Sequence, residues 1–99
     1  MILYLDTSAV VKLYTTELGS AESARLVAEA RQVATNLVTY AETRAAFARK
    51  YRMRQMNDRE LDSCKTEFEL HWAGFFKMPV DARLEIGRAS CRERVCLYV

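Results

Sequence analysis

The stretch ILYLDTS sets a carboxylate, Asp6, directly after four apolar residues, with the hydroxyls of Thr7 and Ser8 next in line. In a parallel α/β sheet, ligand-binding groups stand beyond the carboxyl ends of the strands, and Asp6 holds such a position. There it can serve in chemistry, or it can simply start a turn and cap the following helix. Thr7 and Ser8 offer capping oxygens of their own, which leaves Asp6 free for another role. A second carboxylate, Glu42, lies in TNLVTYAETRAAFARK. Its neighbours one turn away, Val38, Thr39, Ala45 and Ala46, include no base, so the i,i+4 ion pair of many surface glutamates is missing. Small alanines beside it let another segment, or a hydrated metal ion, approach closely. A solvated helix glutamate is the plain alternative.

The elements that must position these groups follow from the apolar pattern. Ile2–Leu5 is a short continuous apolar run, as in a strand covered on both faces. Thr7 or Ser8 caps a helix through Val10, Val11, Leu13 and Tyr14. Gly19 ends it, and Ser20 with Glu22 starts another through Leu26, Val27 and Ala30. Gln32–Thr35 is a second strand. Thr35 or Asn36 then caps a long helix from Leu37 to about Arg52, whose apolar arc reads Leu37, Ala41, Ala48 and Tyr51, with Glu42 near its edge. Asn57 and Glu60 have the spacing of a capping box. They open a helix with Leu61, Cys64, Phe68, Trp72 and Phe75 on one face. Phe76–Val80 is a third strand. This alternation predicts an α/β domain with a parallel sheet and flanking helices.

The chain has 99 residues, of which 51% are hydrophobic and 28% charged, with a net charge of +2. It is one small domain at most, and its charge alone does not announce nucleic-acid binding. No segment is long and apolar enough to cross a membrane, and Asp6 interrupts any signal-peptide core. Cys64, Cys91 and Cys96 are odd in number and lack paired metal-ligand spacing, which fits a reducing cytoplasm.

The last fifteen residues, EIGRASCRERVCLYV, break the rhythm of the elements before them. Ile86–Val95 matches a common sequencing-adapter string translated in one frame. The expectation is a partial domain over 1–84, cut near Leu84, followed by a non-native tail over 85–99, with a genuine strand at Val95–Val99 as the alternative. Truncation would leave apolar surface uncovered on Val33, Val80 and the helices.

Taken together, LDTSAVVKLY after an apolar strand, a VAT strand about thirty residues on, a helix holding YAE, an FELHW run and FKMPVDARL resemble the N-terminal part of PIN-domain proteins of the VapC toxin type. The resemblance runs from Met1 to about Leu84. It implies a C-terminally truncated PIN-like fold and a metal-dependent RNA endonuclease, the toxin of a toxin–antitoxin pair. It also implies a cognate antitoxin as partner and a homodimer when complete. Asp6 matches the first family carboxylate and Glu42 the second, both as catalytic metal ligands. Thr7 or Ser8 matches the supporting hydroxyl. Mg²⁺ (or Mn²⁺) suits such a site, since it needs only one or two protein carboxylates besides water and phosphate oxygens. The family pattern asks for further acidic residues after the third strand, where the tail stands here. Asp81 echoes Asp6 at a strand end but reads as a helix cap, and Glu85 and Glu93 belong to the tail. Such a chain is expected to be weakly active or inactive.

Arg49, Lys50, Arg52 and Arg54 gather at the end of the long helix, where cations suit the helix terminus. Arg49 shares the side of Glu42 and is the candidate RNA-phosphate contact. His71 has no ligand partners at metal spacing, and Trp72 reads as core. The alternative function is a non-catalytic module that binds an antitoxin or forms a dimer. An aspartate-nucleophile phosphotransferase would want a second acid where Ser8 stands.

Overall fold

The computed structural model describes residues 2–16, 20–79 and the backbone of 95–98. Strand β1 is Ile2–Leu5, followed by helices α1 (Thr7–Lys12) and α2 (Ser20–Glu29), strand β2 (Gln32–Asn36), helices α3 (Thr39–Arg52) and α4 (Asp58–Trp72), and strands β3 (Phe76–Met78) and β4 (Val95–Tyr98). The sheet runs β3-β2-β1-β4 and every pairing is parallel. The architecture is the α/β arrangement with a parallel sheet that the alternating pattern predicts, and it is consistent with the PIN-like fold that the resemblance implies. Among the described residues no helix is long and apolar enough to cross a membrane.

Continuous apolar sequence explains β1: Leu3 and Leu5 are fully buried, and the strand is paired on both sides. Its register sets Leu3 beside Val33 on β2 and Cys96 on β4. The side chain of Thr35, itself buried, donates to the Leu5 carbonyl at 2.9 Å, so the carboxyl end of β1 is tied to β2 just before Asp6. Val33, whose surface truncation was expected to uncover, is instead part of the buried core; Val80 lies outside the described residues. Gly19, Asp81, Glu85 and Glu93 also lie outside them.

Helix α3 starts at Thr39, two residues after the expected Leu37. The sheet takes the intervening residues: Asn36 pairs with Met78, and the Leu37 N–H donates to the Met78 carbonyl at 2.9 Å. Asn36 then turns the chain by accepting from the Val38 N–H, rather than capping the helix directly. The buried face of α3 is Thr39, Thr43, Ala46 and Phe47, and Leu37 and Tyr51 are exposed, so the expected arc is rotated. The misreading has a physical cause, because threonines and alanines carry the contact with α1 where closely packed elements exclude larger side chains.

Helix α4 opens on the capping box foreseen at Asn57 and Glu60, with both reciprocal bonds formed at 2.8 and 2.9 Å. Phe68 is fully buried and packs edge-on against Phe47 and Tyr14, with Tyr40 and Trp72 completing the aromatic centre. In the tail, Val95–Tyr98 forms β4, within the stretch where the alternative of a genuine strand over Val95–Val99 put one.

Candidate active site

With all strands parallel, Asp6 emerges from the carboxyl edge of the sheet beside the start of α1. The expectation that Thr7 or Ser8 would cap α1 is corrected. Asp6 is the N-cap, and its Oδ1 accepts from the Ala9 N–H at 3.0 Å and from the Ser8 hydroxyl at 3.1 Å. The cause is backbone geometry: Asp6 is extended, at φ −84° and ψ 178°, while Thr7 and Ser8 are already helical.

Freed from capping, Thr7 reaches across to α3, where its hydroxyl donates to Glu42 Oε1 at 2.6 Å. This bond joins residues 35 apart in sequence and brings the first turns of α1 and α3 together. Glu42 is thereby held to the first turn of α1, the helix that Asp6 caps, and each of the two candidate carboxylates accepts from one of the adjacent hydroxyls. Asp6 Oδ2 and Glu42 Oε2 accept no hydrogen bond from the described residues. Asp6 is half-buried and Glu42 exposed, so the pair is anchored below and open above.

Arg49 lies on the same side. It lines a cleft of about 460 Å³ together with Thr7, Ser8, Ala46 and Lys50. A cation in an open groove that reaches the hydroxyls of Thr7 and Ser8 suits an anionic substrate.

A divalent cation fits this donor set: two carboxylates from different elements, fixed on one oxygen each by neutral donors, leave hard oxygens available. Among the described residues no group of three or more histidines, cysteines or acids that could hold a metal ion comes together. His71 takes no part. It shares a 2.8 Å hydrogen bond with the Tyr14 hydroxyl on the far side of α1. Burial, then the nearby Glu67 and Cys64, push the Tyr14 phenol above its ordinary range. Trp72 packs against Tyr40 and Phe68, as its spacing foretells. The sequence gives no signal for the Thr7–Glu42 bond or for the Tyr14–His71 pair, since both join distant segments.

No family model matches the chain. It is 32% identical over 84 residues to Ribonuclease VapC45 of Mycobacterium tuberculosis (strain CDC 1551 / Oshkosh). The identity is the same to Ribonuclease VapC49 of Mycobacterium tuberculosis (strain ATCC 25618 / H37Rv). Each match takes in 85% of this chain, which spans 58% of the length of either relative. Over that aligned stretch the chain is similar to two ribonucleases named VapC, and its α/β architecture is consistent with a PIN-like fold.

Proposed function

We propose that the site is part of a divalent-metal-dependent RNA endonuclease, the toxin of a toxin–antitoxin pair. RNA is its substrate and a cognate antitoxin its partner, with homodimerisation in the complete protein. The observation that carries the reading is the 2.6 Å bond from Thr7 to Glu42, which draws the α3 carboxylate to the end of β1 where Asp6 stands. Asp6 and Glu42 would hold Mg²⁺ or Mn²⁺. When bound, the ion supplies Lewis-acid chemistry at the phosphodiester and acidifies water. The chain's own residues do the rest. Ser8 and the Ala9 N–H fix the Asp6 carboxylate, Thr7 fixes Glu42, and Arg49 attracts a phosphate toward the pair.

Two carboxylates bind such an ion weakly, and the reading includes a non-native origin for residues 85–99 and little nuclease activity for the 99-residue chain. Titrating the purified chain with Mn²⁺ and following free ion by electron paramagnetic resonance tests the site. Weak binding that Asp6→Asn and Glu42→Gln each abolish is expected; binding unchanged in both variants removes the site. Strong Mg²⁺-dependent RNA cleavage by this chain, lost in Asp6→Asn, would keep the site and overturn the low activity. Sequencing the locus tests the tail, and an uninterrupted native frame through codon 99 refutes its foreign origin.

A second reading, an interaction module without catalysis, draws on an apolar cleft lined by Leu13, Val27, Leu70 and Phe75, beside which Leu70 is 71% exposed. Absence of any Mn²⁺ binding would favour it.

A further inference from the structure

Strand β2 buries Val33, Ala34 and Thr35 in a row, and only the last of them carries a polar group. A valine there would suit the same covered, pleated surface, since it has the branched shape without the hydroxyl. A hydroxyl taken out of water is costly unless it is hydrogen-bonded. Thr35 is fully buried, and its hydroxyl is committed: it donates to the Leu5 carbonyl at 2.9 Å. Burial alone does not deliver such a bond. The buried hydroxyls of Ser23 and Thr43 find no partner among the described residues.

The accepting carbonyl is the one that precedes Asp6. Matched pairs along β1 and β2 end at Tyr4 and Ala34, and the Thr35 side chain carries the connection one residue further. A peptide unit is planar, so a fixed Leu5 carbonyl also fixes the direction of the Asp6 N–H. On the other side, the Asp6 carbonyl accepts from the Val10 N–H at 3.0 Å. The backbone of Asp6 is therefore held both before and after the residue, and the hold before it comes from a different strand.

That strand leads to the second carboxylate. Thr35 adjoins Asn36, whose side chain accepts from the Val38 N–H and turns the chain into α3, the helix of Glu42. Two side-chain bonds thus join the segment of Asp6 to the segment of Glu42: an exposed one from Thr7 to Glu42, and a buried one from Thr35 to Leu5. We propose that Thr35 is a positioning residue for the acid pair. Its hydroxyl locks the end of β1 to the strand that enters α3, and so fixes where Asp6 stands relative to Glu42. The proposal deepens the metal-dependent reading of this site and rests on it.

Variants of the 99-residue chain separate the hydroxyl from the packing. Thr35→Ser keeps the hydroxyl and loses the buried methyl. Thr35→Val keeps the branched shape and loses the hydroxyl, and Thr35→Ala loses both. Mn²⁺ affinity is read by electron paramagnetic resonance, and the order parameter of the Asp6 N–H by ¹⁵N relaxation in metal-free protein. Thr35→Val and Thr35→Ala should each bind Mn²⁺ about fivefold more weakly, the share of one hydrogen bond, while Thr35→Ser stays within about twofold of wild type. The Asp6 order parameter should fall from about 0.85 toward about 0.6 in the two hydroxyl-free variants and hold in Thr35→Ser, with that of Phe68 unchanged in all. A purely structural role predicts otherwise: Thr35→Ser would behave as Thr35→Ala does, and Phe68 would loosen along with Asp6. That result, wild-type behaviour of Thr35→Val, or failure of both hydroxyl-free variants to fold overturns the proposal. The metal reading can fail separately, through Mn²⁺ binding indifferent to Asp6→Asn. The order parameters then decide alone: order at Asp6 kept only with the hydroxyl upholds the role of Thr35, and order kept in every variant overturns it.

Discussion

Asp6 Oδ1 is committed to α1 through the Ala9 N–H and the Ser8 hydroxyl, so two substitutions at this residue should separate charge from architecture. Asn keeps a side-chain oxygen for the cap, and Asp6→Asn is expected to lose Mn²⁺ binding with little change in stability. Asp6→Ala removes the cap as well and should cost about 1 kcal/mol, measured by urea denaturation. At Arg49 the distinction lies between position and recognition. Arg49→Ala should weaken binding to every RNA strand alike and flatten the dependence of affinity on salt, leaving the order of preference among bases intact. At this scale the sequence was partly legible. Asp6 stood out by its place at the end of an apolar strand, and Glu42 by the lack of a base one turn away. That Asp6 itself caps α1, and that Thr7 bonds Glu42, depended on backbone angles and on a contact between distant segments, which spacing does not encode.

The elements show the same division between local and long-range information. The capping box of α4 was readable because Asn57 and Glu60 are three residues apart and complete each other within one turn. The face of α3 was not, because hydrophobicity ranks alanine and tyrosine above threonine, whereas close helix packing prefers whatever is small. The partner of α3 across the bundle is also invisible in sequence: Glu69 of α4 accepts from the Tyr40 hydroxyl and pairs with Arg44 at 2.5 Å. The Tyr40 hydrogen bond lowers the Glu69 carboxyl below the usual glutamate range; partial burial works against this and Arg44 adds to it. A lowered folded-state value means that the stabilisation is present above the ordinary glutamate value and is lost as the pH falls through the folded one. Wild type should therefore exceed Glu69→Gln in stability at neutral pH by a small margin. In chemical denaturation the margin should vanish in acid.

For the molecule as a whole, the aromatic centre is the joint between α3, α4 and the turn after α1. Phe68 is fully buried and touches Tyr14, Tyr40, Phe47 and Trp72, which come from α3, α4 and the turn after α1. Phe68→Ala should cost about 3–5 kcal/mol. That is a large part of the ~5–15 kcal/mol by which small domains are stable. Loss of the cooperative thermal transition would report it. The α4 stripe that supplies Phe68 was legible from its three-and-four spacing. The order of the strands was not, because it depends on which edge of β1 each later strand reaches.

The bond from Asp6 to the Ala9 backbone nitrogen turns one peptide hydrogen into a gauge of the carboxylate above it. In heavy water that hydrogen should exchange slowly while Oδ1 holds it. A divalent ion settling on Oδ2 should leave the exchange slow, and one competing for Oδ1 should quicken it. Two-dimensional NMR at the Ala9 amide would thus report how a cation is seated, with no RNA in the tube and no turnover required.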